Sequence, residues 1–176
     1  MPRNLRERCD MKLKLFIPTV VVMMLFLFGM AWAGESATPE ECMRKCYEAA
    51  EFLSQAGEAG LEEFKDPKGR WVWKDTYIFV LDCDRRITVA HIVPQVVGKP
   101  INILTDPKGN PFGEMICDAG SKPKGGWIEY WWPRKGEALP SRKISFCYHA
   151  EGTPYKFGAG IYEPTATLEE LNAMVK

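Results

Sequence analysis

The stretch that decides the fold runs from Thr76 to His91 and reads TYIFVLDCDRRITVAH. Residues 77–81 and 87–91 are dense in aromatic and β-branched side chains, which are typical of strands. Residues 82–86 between them are mostly polar and give the chain room to reverse direction. The stretch therefore predicts a β-hairpin.

Downstream of the hairpin, the sequence predicts three more strands, at 127–132, 143–151 and 155–162. The last two are separated only by Gly-Thr-Pro at 152–154, which favours a tight turn. Residues 93–124 are rich in glycine and proline and predict an irregular crossover with short helical pieces. Short consecutive strands joined by turns imply an antiparallel sheet of five strands with helices packed on one face.

Two helices are predicted at the ends of this sheet region. Residues 38–41 read TPEE, a capping box with proline at the first helical position, and Thr167 with Glu170 forms a second capping box near the C-terminus. After the first box, apolar residues recur every three or four positions and form one stripe: Cys42, Cys46, Ala49, Leu53 and Ala56. The predicted fold class is α+β, with a long N-terminal helix packed on a five-stranded antiparallel sheet and a short C-terminal helix.

Residues 1–33 are typical of a secretory signal. They hold five basic residues and an uncharged apolar run at 15–30, and they end in Ala-Trp-Ala, an Ala-x-Ala cleavage site. The run is shorter than the ~20 apolar residues that span a bilayer. We therefore expect a cleaved signal and one periplasmic domain at 34–176. An uncleaved tether to the inner membrane is the alternative, and Met11 is a second candidate for the true start.

Charge and cysteine content narrow the functional classes. Of the 23 basic and 23 acidic residues, five and two lie in 1–33, so residues 34–176 hold 18 against 21 and carry a net charge of −3. A weakly acidic domain does not suit nucleic-acid binding.

Five cysteines remain, so at least one is free or pairs between chains, and the connectivity stays open. Their spacing matches neither a zinc nor a haem pattern, and we predict no metal and no cofactor.

Six motifs, in the order of the predicted strands, resemble a single Cache domain, the PAS-like extracytoplasmic sensor module of bacterial chemoreceptors and sensor kinases. The motifs are WKDTYIFVLD at 73–82, AH at 90–91, VGK at 97–99, GWIEYWWP at 126–133, KISF at 143–146 and GAGIY at 158–162. Two positions depart from the family pattern: the turn at 82–86 lacks the usual glycine, and Ile92 follows the histidine where proline is common. The resemblance implies a domain that binds a small ligand and catalyses no reaction.

The resemblance also implies a binding site lined by aromatic side chains. It takes Trp127, Tyr130 and Trp132 from the third predicted strand, and Tyr77 and His91 from the hairpin. Alternation along the strand sends Trp127 to one face and Tyr130 with Trp132 to the other. One set can pack against the helices while the other lines an apolar cavity under the crossover.

A cation completes the implied site. The resemblance places Lys143, at the start of the fourth predicted strand, where it meets a ligand carboxylate. Nearby competitors for that role are Arg134, Lys135 and Arg142. The implied ligand is a small organic acid, a short-chain carboxylate such as acetate, propionate, lactate or pyruvate.

The family's usual transmembrane helix and cytoplasmic signalling domain do not follow in this sequence. We therefore expect the domain to act through a partner, either a membrane sensor kinase or a chemoreceptor, or else to serve as a free binding protein. We also expect a homodimer formed through its N-terminal helix. The alternative is a structural or interaction module that dimerises through this helix and has no physiological ligand.

A catalytic alternative rests on Cys147 and His149. They lie two residues apart on a predicted strand and so share a face, as a nucleophile and its base would. The sequence offers no identifiable orienting acid or oxyanion donor beside them. We therefore predict no catalytic residues.

Overall fold

The structure is a computed structural model that describes residues 35–163 and 165–175. The predicted secretory signal and its cleavage site lie outside these residues. The helices are α1 (Pro39–Ala56), α2 (Phe112–Gly120) and α3 (Leu168–Ala173). The strands are β1 (Val72–Trp73), β2 (Thr76–Tyr77), β3 (Phe79–Asp82), β4 (Ile87–Ala90), β5 (Gly126–Pro133), β6 (Pro140–His149) and β7 (Tyr155–Ile161). Short 3₁₀ turns occupy Glu58–Lys65, Pro94–Val96 and Ile101–Ile103.

The main sheet has five antiparallel strands in the order β4-β3-β7-β6-β5, which confirms the predicted α+β class. The predicted hairpin is β3 and β4, with Leu81 paired to Thr88. Its first strand begins at Phe79, because Tyr77 belongs to β2 and pairs with Val72 of β1 in a separate two-stranded sheet. The last strand, β7, lies in the middle of the main sheet, between β3 and β6.

Helix α1 covers one face of the sheet. Its capping box is present as predicted, with the Thr38 side chain accepting from the backbone of Glu41 and the Glu41 side chain accepting from the backbone of Thr38. The helix ends at Gly57, whose φ of 63° lies in the left-handed region that glycine tolerates. The stripe it buries on the sheet is Cys42, Cys46, Ala49, Ala50 and Leu53. The second predicted capping box, Thr167 with Glu170, begins α3, which lies against the same core.

Helix α2 packs on the opposite face, so helices cover both faces of the sheet and the expectation of one covered face was wrong. Phe112, Ile116 and Ala119 form a second core with Tyr77 and Tyr130. The helix has no side-chain cap and starts after Pro111 inside the glycine-rich crossover. These features make its sequence resemble a loop. Between α2 and the sheet lies the space that holds the candidate site.

One disulfide, Cys83–Cys117, joins the turn after β3 to α2, with the two Cα atoms 5.8 Å apart. The other three cysteines of the described residues, Cys42, Cys46 and Cys147, are free and buried. This pairing settles the connectivity that the sequence left open. Within residues 35–163 and 165–175, no helix combines the length and the apolar character that a membrane span needs.

Candidate functional site

The candidate site lies between the sheet and the crossover that carries α2. Along β3, side chains alternate, so that Phe79 and Leu81 face the crossover while Val80 faces α1. On β5 the same alternation turns Tyr130 and Trp132 toward the crossover. The sheet therefore presents an aromatic surface to the segment above it.

An apolar cavity occupies this space. Its free volume is about 20 Å³, which is room for about one water molecule. The residues that line it are Phe79, Leu81, Thr88, His91, Val96, Leu104, Phe112, Ile116, Tyr130 and Trp132. Three residues implied by the family resemblance, His91, Tyr130 and Trp132, are thus in its wall.

Lys143 reaches from β6 into the aromatic layer, which is the set of aromatic side chains between the sheet and the crossover. Its side chain is fully buried, with 0% of its surface exposed. The ammonium nitrogen Nζ lies 4.4 Å from the ring centroid of Tyr77 and 5.4 Å from that of Phe79, over the electron-rich ring faces. Nζ has no hydrogen-bond partner among the described residues. Burial lowers the pKa of Lys143 to about 8, because desolvation penalises the charged form.

Two glycines of β7 make room for these side chains. A Cβ atom at Gly160 would lie 2.7 Å from Cε of Lys143, and one at Gly158 would lie 2.1 Å from the ring of Phe79. Both glycines face the crossover side of the sheet. Strand β7 therefore places no side chain at these two positions beneath Lys143 and Phe79. Gly160 of the GAGIY motif thus leaves room for the buried lysine, and Gly158 leaves room for Phe79.

His91 is neutral in this environment. Its Nδ1 accepts a hydrogen bond from the backbone N–H of Val93 at 2.9 Å, which places the ring proton on Nε2. Burial, with a smaller contribution from the positive charge of Lys143, lowers the pKa of His91 to about 3. Its ring packs edge-on against Tyr77 and Trp132, with centroids 4.9 and 5.5 Å away.

Hydrogen bonds connect the remaining aromatic residues. Trp132 Nε1 donates to the hydroxyl oxygen of Tyr77 at 2.9 Å, which links β5 to β2. The hydroxyl of Tyr130 lies 3.0 Å from Oγ of Ser145, and the Tyr130 ring stacks on Phe112 of α2 at 4.7 Å. Burial raises the pKa of Tyr77 and of Tyr130, so both hydroxyls stay protonated. The site is therefore a neutral aromatic layer around one amine.

Comparison with known families identifies this architecture. A family model described as "Cache domain" matches residues 68–165, which is more than half of the chain and includes the strands of the aromatic layer. The chain belongs to the Cache domain family. This finding confirms the resemblance derived from the six motifs. A search among curated proteins found no match.

Three solved structures are similar to this Cache domain. A periplasmic sensor domain of a chemotaxis protein is 23% identical with a TM-score of 0.57, over 68% of this chain and 89% of that one. A methyl-accepting chemotaxis protein from Vibrio parahaemolyticus RIMD 2210633 is 20% identical with a TM-score of 0.58, over 70% and 86%. A Cache chemosensory domain, described for its structural basis of carboxylic acid recognition, is 27% identical with a TM-score of 0.56, over 70% and 91%.

Of the six site residues implied for this Cache domain, the structure brings five together: Tyr77, His91, Tyr130, Trp132 and Lys143. Trp127 lies on the other face of the sheet, where its ring packs 5.4 Å from Phe146 and its backbone N–H donates to Asn172 of α3. Alternation along β5 makes this unavoidable, because residues three positions apart face opposite sides. Trp127 is therefore a core residue under α1 and α3, outside the aromatic layer.

The three cations that competed with Lys143 are placed differently. Arg142 lies beside Glu129, with 2.6 Å between nitrogen and carboxylate oxygen, and Arg134 donates to the carbonyl oxygen of Tyr162. Lys135 is exposed. Among these four cations, only Lys143 is buried in the aromatic layer.

Sequence reasoning missed several residues of the cavity wall, among them Thr88 and Phe112. Thr88 lies on β4 opposite Leu81, on the crossover side of the sheet. The sequence did carry a signal for Thr88. Alternation along β3 and the pairing of the predicted hairpin together place Thr88 on the same face as Leu81. Phe112 had no such signal, because α2 itself was hidden in the crossover.

Cys147 and His149 form no nucleophile and base pair in this Cache domain. Cys147 is buried beneath α2 with its thiol 3.9 Å from the carbonyl oxygen of Ser145, and burial raises the pKa of that thiol. The His149 ring instead lies 2.8 Å from the carbonyl oxygen of Thr153 in the β6–β7 turn. A protonated thiol with its histidine committed elsewhere is a poor nucleophile.

Proposed function

We propose that this Cache domain is a periplasmic sensor module that binds a short-chain carboxylate, with the carboxylate group at Lys143 and its hydrocarbon part against Tyr77, His91, Tyr130 and Trp132. The observation that carries the proposal is the buried Lys143 ammonium, which has no acceptor among the residues that the structure describes. A bound carboxylate supplies both the missing acceptor and the missing countercharge.

Energetics support a ligand as the partner of this lysine. Burying an ammonium group without a hydrogen-bond acceptor opposes folding, and aromatic faces offset only part of that cost. Methionine, which has a similar length and no charge, would fill the same space without the penalty. A lysine at this position is therefore explained by binding better than by stability.

The apolar cavity must expand to hold a ligand, since about 20 Å³ is too small for acetate. An outer groove of about 330 Å³ lies next to it and shares four of its lining residues: Val96, Leu104, Phe112 and Trp132. These side chains separate the cavity from the groove. We propose that their displacement admits the ligand from the groove.

The size of the ligand limits its affinity. A molecule of about five or six heavy atoms gains at most ~8 kcal/mol at a ceiling of ~1.5 kcal/mol per atom. That limit corresponds to a dissociation constant of about 1 μM or weaker. Such affinity suits the sensing of a metabolite whose concentration changes.

Ligand binding is passed to a signalling protein in this proposal. We propose a membrane sensor kinase or a chemoreceptor as the partner, and a homodimer of this chain as the signalling unit. The Cache family consists of ligand-binding signalling modules, and similar solved structures come from chemotaxis proteins, which supports this assignment.

A thermal-shift screen tests the proposal. Acetate, propionate, lactate and pyruvate are added to the purified protein, and at least one is expected to raise the melting temperature in a concentration-dependent way. At 100 times its dissociation constant, a ligand stabilises the fold by about 2.7 kcal/mol. Lys143→Met is expected to lose this shift. The exposed Lys135 provides the matched control, because Lys135→Ala is expected to keep the shift. A flat screen would favour an interaction module without a ligand.

Carboxylate affinity is expected to fall about tenfold between pH 7 and pH 9. The pKa of Lys143 is about 8 in the free protein, so the charged form that binds the anion falls from about nine-tenths of molecules to about one-tenth. Isothermal titration calorimetry at the two pH values measures the change. His91, with a pKa of about 3, does not titrate in this range. An affinity independent of pH would contradict the role of Lys143.

A further inference from the structure

The hydroxyl of Thr88 is an unexplained polar group in the cavity wall. Thr88 is 1% exposed, lines the cavity, and its Oγ1 has no hydrogen-bond partner in the part of the chain that the structure describes. The backbone of the same residue is fully paired, since its N–H donates to Lys99 at 3.0 Å and its carbonyl accepts from Gly98 at 2.7 Å. The side-chain oxygen alone is left over.

Packing does not require this oxygen. Valine has the same shape as threonine and would fill the position beside Leu81 with an apolar methyl group. A buried hydroxyl without a partner opposes folding, because it loses its hydrogen bonds to water. Other polar atoms of the wall have partners: the Tyr130 hydroxyl lies 3.0 Å from Ser145 Oγ, and His91 Nδ1 accepts from Val93.

Thr88 and Lys143 lie toward different ends of the site. Lys143 Nζ is 5.4 Å from the ring of Phe79, whereas Thr88 is paired with Leu81 two residues further along β3. Both Phe79 and Leu81 line the cavity. Two residues along a strand cover roughly 7 Å, so Lys143 meets the site beside Phe79 and Thr88 meets it beside Leu81, offset by that length along β3.

We infer that Thr88 is a second polar anchor of the site, and that the ligand is a carboxylate that also carries an uncharged hydroxyl or carbonyl group away from the carboxylate. The inference rests on the proposed function, because Lys143 must hold the carboxylate for Thr88 to meet the other end. A second charge on the ligand does not fit, since the wall near Thr88 consists of Leu81, Val96 and other apolar side chains.

A matched series of acids tests this inference. Hydroxy acids with the hydroxyl at carbon 2, 3, 4 or 5 are each compared with the parent acid that lacks it, by calorimetry on the wild type, Thr88→Val and Thr88→Ser. At least one hydroxy acid is expected to bind the wild type about tenfold more tightly than its parent. Thr88→Val is expected to reduce this preference to about onefold, and Thr88→Ser is expected to retain it.

The two proposals fail in different ways. If the parent acids bind but no hydroxy acid is preferred, or if Thr88→Val keeps the preference, the role of Thr88 is overturned and the carboxylate site stands. If no acid in the series binds the wild type, the proposed carboxylate site is overturned, and the role of Thr88 is overturned as well. Thr88→Val is expected to fold, with a melting temperature equal to or a few degrees above that of the wild type, because it removes only the unpaired hydroxyl.

Discussion

Replacing Lys143 by methionine is expected to stabilise the protein by about 3 kcal/mol at pH 7 and to abolish carboxylate binding. Burial lowers the pKa of this lysine from 10.5 to about 8, and each unit corresponds to about 1.4 kcal/mol between the charged and neutral forms. Methionine fills the same space without a charge. Denaturant unfolding measures the stability, and the thermal-shift screen measures the loss of binding.

The sign of the pH dependence provides a control for Lys143→Met. Between pH 8 and pH 10.5 the unfolded chain still binds the lysine proton while the folded protein has released it, so the wild type gains stability as pH rises. The advantage of the methionine variant should therefore be complete below pH 8 and vanish by about pH 10.5. A variant less stable than the wild type at pH 7 would mean that the ammonium has a partner that stabilises it.

Loss of the Cys83–Cys117 disulfide is expected to destabilise the protein by about 4 kcal/mol. The bond closes a loop with a sequence separation of 34, and its removal restores that loop's entropy to the unfolded chain. The double variant Cys83→Ser/Cys117→Ser, compared with the wild type by denaturant unfolding, measures the loss. The melting temperature should fall by roughly 10 to 15 °C.

A dithiol reductant supplies the control for the disulfide. It should lower the stability of the wild type to that of the double variant and leave the variant unchanged, because the remaining cysteines of the described residues, Cys42, Cys46 and Cys147, are free. Thiol labelling of the unfolded, unreduced domain should modify these three and spare Cys83 and Cys117. A loss below about 1 kcal/mol, with no effect of reductant, would contradict a structural role for the bond.

Local sequence patterns were sufficient to place most of the secondary structure. Both capping boxes, at Thr38 and Thr167, begin helices, since a cap depends only on residues within one turn. Short helical pieces were predicted in the crossover, but α2 was not located among them because its glycines resembled a loop. Gly113 is required there by a distant neighbour, since a Cβ at that position would lie 2.2 Å from the carbonyl oxygen of Ile101.

The candidate site was predictable in its residue types but only partly in its placement. Strand alternation separated Trp127 from Tyr130 and Trp132, yet it did not say which face the crossover covers. That choice depends on where α2 packs, and α2 lies on the face of Tyr130. The importance of Thr88 also depends on tertiary structure, because an unpaired hydroxyl is recognised only when every neighbour is in place.

By itself, the sequence determined the α+β class, the two capped helices and the five strands, because these follow from the order and chemistry of nearby residues. Only the tertiary structure decided the central place of β7, the pairing of Cys83 with Cys117 and the burial of Lys143 without an acceptor. The reason is that these features join residues far apart in the chain. Tyr77, Lys143 and Gly160 come into contact only when three separate strands are aligned.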